Sequence, residues 1–296
     1  MNYTIKQFNK DFPDNNACLD YIFKARFGGL KCPKCGKNKF FRVNGRKCYA
    51  CRCGYQIHPV SGTIFHKSDT KLTDWFFAIY LMSQSKHGTS AKEIQRHLGT
   101  TYKTAWRIAK LIRGLMTQDS EKLGKIVEAD EFYYGGKARL NKKYLNKSSV
   151  VGMVQRKGKL KAKILEEIWT PTLLKTIEDN VEFGTYLLTD DNQIYPKAKR
   201  LGYFHNSVNH SKKEFVRNEV HTNTIEGVWG NLKRSIYGTY HAVSKKYLQD
   251  YINEFAFSYN SRLASSSPFE ILLYRLCRLP YEEGQRMPLL RSPVVS

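Results

Sequence analysis

The run Val127-Glu128-Ala129-Asp130-Glu131-Phe132-Tyr133-Tyr134 sets carboxylates inside an apolar, strand-like segment, and Tyr186-Leu187-Leu188-Thr189-Asp190-Asp191 ends a second such segment in the same way. A carboxylate there is costly unless it is paired or bound to a metal. A third acid, Glu226, lies in the stretch from Val220 to Arg234, where Ile225, Val228, Trp229 and Leu232 recur at helical spacing. Asn223 suits the N-cap of that helix, and Glu226 three residues on suits a capping box, which by itself would account for the glutamate. Glu226 and Lys233 then project about two turns apart along one side.

The segments around these acids alternate in a definite order. From Gly124 the sequence predicts a strand over 125–134, a Gly135-Gly136 turn, and a basic loop with Lys137, Arg139, Lys142, Lys143 and Lys147. A hairpin of strands 149–155 and 160–168 follows across Lys157-Gly158-Lys159, then a helix over 170–180 opened by Thr170-Pro171. A strand over 186–189, a short helix over 194–200, a fifth strand over 203–208 and the Glu226 helix complete a β-β-β-α-β-α-β-α series. That is the ribonuclease-H-like layout, an α/β core with a mixed five-stranded sheet and flanking helices. Its first strand carries an acid, its fourth ends in one, and a later helix brings a third across. Asp130, Asp190 and Glu226 fall in those places.

Five of seven cysteines crowd between positions 32 and 53. In a basic chain expected to be intracellular, such clustering points to zinc rather than disulfides. Cys32-Pro33-Lys34-Cys35-Gly36 is a zinc knuckle, with Gly letting the backbone turn so that both sulfurs face one ion. Cys48, Cys51 and Cys53 offer three thiols for two places. Cys51 and Cys53 are preferred, because Cys53-Gly54 repeats the Cys35-Gly36 step, and Cys48 is the reserve ligand. His58 and His66 read as ordinary polar residues, and Cys18 and Cys277 as core thiols.

Helices are expected after Pro13-Asp14, over 70–82, over 90–98 and over 100–113, the last opened by the threonine pair Thr100-Thr101. The final two, joined at Gly99, match a helix-turn-helix whose second helix exposes Lys103 and Arg107 toward a major groove. Phe269, Ile271, Leu272, Leu273 and Leu276 mark a closing helix, and a loose tail is expected from Pro280.

The formal charge of +23 exceeds what solubility requires and implies a polyanionic partner, nucleic acid before an anionic membrane surface. No run approaches the eighteen or so apolar residues of a membrane span, and the amino terminus lacks the apolar core of a secretory signal. A soluble, intracellular protein is the expectation.

Together the chain resembles transposases of bacterial insertion sequences, the group with an N-terminal zinc ribbon and helix-turn-helix ahead of a ribonuclease-H-like DDE core. The resemblance rests on Cys32-Pro33-Lys34-Cys35-Gly36, Ser61-Gly62-Thr63-Ile64-Phe65, Asp130-Glu131-Phe132-Tyr133-Tyr134-Gly135-Gly136-Lys137, Val208-Asn209-His210-Ser211 and His221-Thr222-Asn223-Thr224-Ile225-Glu226. Gly238 to Ser244 and Glu254 to Arg262 extend it. The 35 residues between Asp190 and Glu226 (191 to 225) are the separation found in DDE transposases and retroviral integrases. The resemblance implies that Asp130, Asp190 and Glu226 hold two Mg²⁺ or Mn²⁺ ions, that Lys233 and its neighbour Arg234 contact DNA phosphate, and that one structural Zn²⁺ sits in the ribbon. Asn223 is an alternative third metal ligand. Such ions, about 4 Å apart, suit in-line attack on a phosphodiester. The expected division is an N-terminal helix and ribbon over 1–66, a helix-turn-helix region over 67–120, the catalytic core over 121–265, and a C-terminal helix and tail over 266–296. The implied activity is metal-dependent strand cleavage and strand transfer at the ends of the element, by a homodimer or higher assembly on terminal repeats and target DNA. The resemblance also implies the bacterial cytoplasm and association with the nucleoid. The alternatives are a structure-directed nuclease and a DNA-binding regulator derived from an inactive transposase.

Overall fold

The computed structural model describes residues 3–135, 147–166, 169–190, 192, 194–208, 216–217 and 220–278. The basic loop from Lys137 to Lys143, Asp191, Asn209 to Ser211 and the tail from Pro280 lie outside them. In chain order the elements are α1 (Ile5–Asp11), α2 (Asn15–Phe27), β1 (Phe40–Arg42), β2 (Tyr49–Cys51), β3 (Gln56–Ile57), α3 (Leu72–Gln84), α4 (Ala91–Leu98) and α5 (Tyr102–Leu115). They continue with β4 (Ile126–Tyr134), β5 (Ser148–Gln155), β6 (Leu160–Leu165), α6 (Thr170–Asn180), β7 (Tyr186–Thr189), β8 (Phe204–Ser207), α7 (Asn223–Ser235), α8 (Leu248–Ser261) and α9 (Pro268–Arg278). A 3-10 helix over Tyr195–Leu201 separates β7 from β8, and a π-helical turn over Ile236–Tyr240 extends α7. Among the described residues no helix is long and apolar enough to cross a membrane.

Two compact units emerge, one from 3–84, 91–115 and 266–278, the other from Ser85–Ser90 and Met116–Ser265. In the first, the Asp14 carboxylate accepts the Ala17 N–H at 2.8 Å and caps α2, as the Pro-Asp pair predicts. Rings fill the space between helices: Phe12 lies 4.8 Å from Phe76, and Phe269 of α9 lies 5.8 Å from Phe8. Phe23 of α2 stacks on Tyr49 of β2 at 3.9 Å and seats the three-stranded ribbon on the helix. The α4–α5 pair turns at Gly99, whose φ of 61° favours glycine. The Thr101 hydroxyl then accepts the Thr104 N–H at 3.2 Å to open α5.

The second unit is built on a mixed sheet of order β6-β5-β4-β7-β8. The β6-β5-β4 half is antiparallel, and β4, β7 and β8 run parallel. Side chains alternate along β4. Phe132 and Tyr134 pack on Ile225, Val228, Trp229 and Leu232 of α7 and on Leu248, Ile252 and Ala256 of α8. Val127 and Ala129 face the other way, onto Leu173 and Ile177 of α6 and onto Tyr195 and Ala198. Burial of one such large side chain contributes roughly 1.5–3 kcal/mol, so these contacts hold the helices to the sheet far more firmly than helix propensity does. This is the ribonuclease-H-like arrangement. The third strand ends at Leu165, and Ile168 lies outside the described residues.

Candidate active site

The parallel pairing of β4 with β7 runs from Ile126 opposite Tyr186 to Glu128 opposite Leu188. Beyond that point β7 stops at Thr189, and the carboxylates of Asp130 and Glu131 on β4 and of Asp190 just after β7 converge at the strand ends. Oxygens of all three lie within 4.8 Å of one another. Glu131 is the member the sequence did not single out, because alternation assigns it to the face opposite Asp130. The physical signal for it is that the parallel partner strand ends there and leaves room for both side chains to turn toward Asp190.

Like charges crowded in a half-buried place resist ionisation. Burial, then the charge of Asp190, raises the Asp130 carboxyl to about 6, and burial with the charge of Asp190 raises Glu131 to about 7. Among the described residues no Lys, Arg or His forms an ion pair with Asp130 or Glu131. The hydroxyl of Tyr195 is buried beside Glu131. Three carboxylates whose oxygens converge within 4.8 Å are the donor set a hard divalent cation takes, so the residues present fit Mg²⁺ or Mn²⁺.

Glu226 does not join that group of three. It is exposed on the first turns of α7, where its carboxylate accepts the Thr222 hydroxyl at 2.9 Å, and its charge contributes to raising Asp130. The N-cap is Thr222 rather than Asn223, and Asn223 is the exposed first residue of the helix. The reason is that the orphan N–H groups of Thr224 and Ile225 are satisfied by Glu128 of β4, so no side chain at 223 is needed to cap them. Trp229, one turn after Glu226, donates its indole N–H to Asp130 Oδ2 at 3.0 Å. Lys233 is exposed with its ammonium 5.0 Å from the centre of the Phe132 ring, and Arg234 is exposed and donates to Asn231 Oδ1 at 2.6 Å.

In the ribbon, Cys32, Cys35, Cys51 and Cys53 bring one sulfur each within 4.8 Å of the others. The closest pairs are Cys32 with Cys53 and Cys35 with Cys51, each at 3.5 Å. Gly36 and Gly54, at φ of 72° and 86°, donate their N–H groups back to the carbonyls of Cys32 and Cys51 and close the two turns. Cys48 is buried and lies outside the group, as do the exposed His58 and the half-buried His66. Four thiols at this spacing fit tetrahedral zinc. In α5, Lys103 and Arg107 are exposed one turn apart, while Ala105, Ile108, Ala109 and Ile112 are buried.

Residues 122–260 match the family model of the ISXO2-like transposase domain, and residues 13–56 match that of the transposase zinc-ribbon domain. An uncharacterized protein in the transposable element ISH50 of Halobacterium salinarum is 26% identical over 273 residues, which span 83% of this chain and 91% of that protein. Among solved structures, a chain of the simian T-cell lymphotropic virus intasome, determined by cryo-EM in complex with PP2A regulatory subunit B56 gamma, is 12% identical. That match covers 74% of this chain and 78% of that one at a TM-score of 0.30, a likeness too slight to carry an argument.

Proposed function

With an ISXO2-like transposase domain behind a transposase zinc ribbon, this chain belongs to the insertion-sequence transposases, and we propose that it cuts DNA at the ends of its element and joins the freed strand to target DNA. The observation that carries this reading is the convergence of Asp130, Glu131 and Asp190 at the strand ends, with two of the three carboxyls raised. Asp130, Asp190 and Glu226, with Glu131 beside them, would hold two Mg²⁺ or Mn²⁺ ions. Bound there, such ions supply activation of an attacking water or 3′-hydroxyl and stabilisation of the leaving oxygen.

The chain's own side chains do the rest. The Glu131 N–H and the Trp229 indole fix one oxygen each of Asp130, at 2.8 and 3.0 Å, and aim its remaining lone pairs into the cluster. Asn192 donates its backbone N–H to Asp190 Oδ1 at 3.1 Å and orients that carboxylate in the same way. Lys233 and Arg234, exposed farther along α7, would bind DNA phosphates, and Lys103 and Arg107 on α5 would contact the terminal repeat. The four ribbon thiolates hold a structural Zn²⁺. The working form is a homodimer or higher assembly on two DNA ends, in the bacterial cytoplasm.

The test is cleavage and joining of labelled DNA carrying the element's own ends, with Mg²⁺ or Mn²⁺, for wild type and for Asp130→Asn, Asp190→Asn and Glu226→Gln. The reading requires that wild type cuts and joins while each variant binds the ends and fails to cut. Binding without any metal-dependent chemistry would make the protein a regulator instead, and cutting that ignores the element's ends and never joins strands would make it a nuclease.

A further inference from the structure

Glu128 is a carboxylate with no accessible surface, two residues before Asp130 on the same face of β4. Its Oε2 accepts the backbone N–H groups of Thr224 at 2.8 Å and Ile225 at 3.1 Å. Its Oε1 accepts from the Thr224 hydroxyl at 2.9 Å and from Arg156 Nε at 2.7 Å, and the Nδ1 of His221 stands 3.5 Å away. Arg156 also donates to the His221 carbonyl at 3.1 Å, tying the residue just ahead of α7 to the same group. A strand side chain 96 positions away thus performs the capping that the helix does not perform for itself, since its own N-cap Thr222 makes no capping bond and spends its hydroxyl on Glu226.

We infer that Glu128 is a positioning residue, which fixes where α7 presents Glu226 to Asp130. The inference rests on the proposed partnership of Glu226 with Asp130 and adds to it the group that sets their separation. The geometry is short and stiff. Glu128 and Asp130 are separated by the single strand residue Ala129, and Thr224, Ile225 and Glu226 are consecutive in the first turn of a helix. A charged acceptor bonded to helix N–H groups gains from the helix dipole as well as from each bond, and Arg156 supplies the opposite charge that burial demands. A buried ion pair is weak evidence of added stability, so the role of this one is read from the geometry it fixes.

The test is a double-mutant cycle on the full, zinc-loaded chain, read by Mn²⁺ affinity, because Glu226→Gln is expected not to cut. Glu226→Gln is expected to weaken Mn²⁺ binding about tenfold and Glu128→Gln about fivefold, with the double variant within about twofold of Glu226→Gln alone, because one residue acts through the other. Losses that multiply would overturn the inference. Thr224→Val, which removes only the hydroxyl donor, serves if Glu128→Gln does not fold. Its expected loss of about twofold to threefold must also vanish in the Glu226→Gln background, and a loss that persists there counts against the inference. Amide exchange supplies a readout independent of chemistry: the Thr224 and Ile225 N–H groups should exchange at least about tenfold faster in Glu128→Gln, and unchanged exchange contradicts the clamp. If Glu226→Gln itself leaves Mn²⁺ affinity and cleavage untouched, the proposed role of Glu226 has failed, and the exchange rates alone decide whether Glu128 holds the helix.

Discussion

Trp229 Nε1 lies 3.0 Å from Asp130 Oδ2, so the helix that carries Glu226 is hydrogen-bonded directly to the acid on the first core strand. The same ring fills the core against Phe132 at 5.5 Å. One side chain therefore packs α7 and orients a carboxylate of the site. Trp229→Phe keeps the packing and deletes the donor. It should lower end cleavage about tenfold and unfolding free energy by about 1.5–3 kcal/mol, the range for a hydrogen bond to a charged group. Cleavage rates and denaturant titrations check both, and unaltered cleavage would limit Trp229 to packing.

Close approach of α7 to the sheet depends on Gly152 of β5, which pairs with Asp130. A Cβ there would stand 2.4 Å from Trp229 Cη2 and 3.0 Å from Ile225 Cδ1. The indole cannot yield without leaving Asp130. Gly152→Ala should destabilise the catalytic unit by about 1–3 kcal/mol and depress cleavage more than Trp229→Phe does. Zinc content, which belongs to the other unit, should stay at the wild-type value.

The ribbon predicts about one Zn²⁺ per chain, held by four thiolates. Cys35→Ser or Cys53→Ser should abolish stoichiometric zinc, whereas Cys48→Ser should retain it, as measured by atomic absorption on purified protein. Chelation should unfold the ribbon while leaving the five-stranded sheet intact by amide exchange. Retention of zinc in Cys53→Ser with loss in Cys48→Ser would reverse the assignment.

His205 of β8 is buried, with Nε2 2.9 Å from the Thr189 hydroxyl. Burial, with a smaller effect of the Lys199 charge, pushes its imidazolium down to about 4 from an ordinary 6.5. The folded state therefore disfavours the protonated ring. Its contribution to stability is present above pH 6.5 and is lost as pH falls toward 4. Denaturation midpoints followed across that window should fall more steeply for wild type than for His205→Gln, and parallel curves would refute the assignment.

The elements were legible in the sequence where local chemistry decides them. Apolar, strand-like runs located β4 and β7, helical spacing located α7, and glycine after Cys35 and Cys53 marked the two zinc-knuckle turns. What escaped was set by contacts between distant segments. Asn223 looked like the N-cap because it is a good one, but the orphan N–H groups of α7 are taken by Glu128, which no local pattern announces. Glu131 was passed over because side-chain alternation along β4 assigns it to the face opposite Asp130. It reaches Asp190 only because β7 ends beside it, and Tyr195 closes over it from a 3-10 helix whose contacts no pattern within β4 or β7 reveals.

The most direct test of this account is Mn²⁺ binding to the zinc-loaded, otherwise metal-free protein, followed by electron paramagnetic resonance. The carboxylate cluster predicts up to about two Mn²⁺ per chain, with binding lost in Asp130→Asn and weakened in Glu131→Gln, while zinc remains in place. Wild-type protein that binds no Mn²⁺ beyond the level of Asp130→Asn would contradict it.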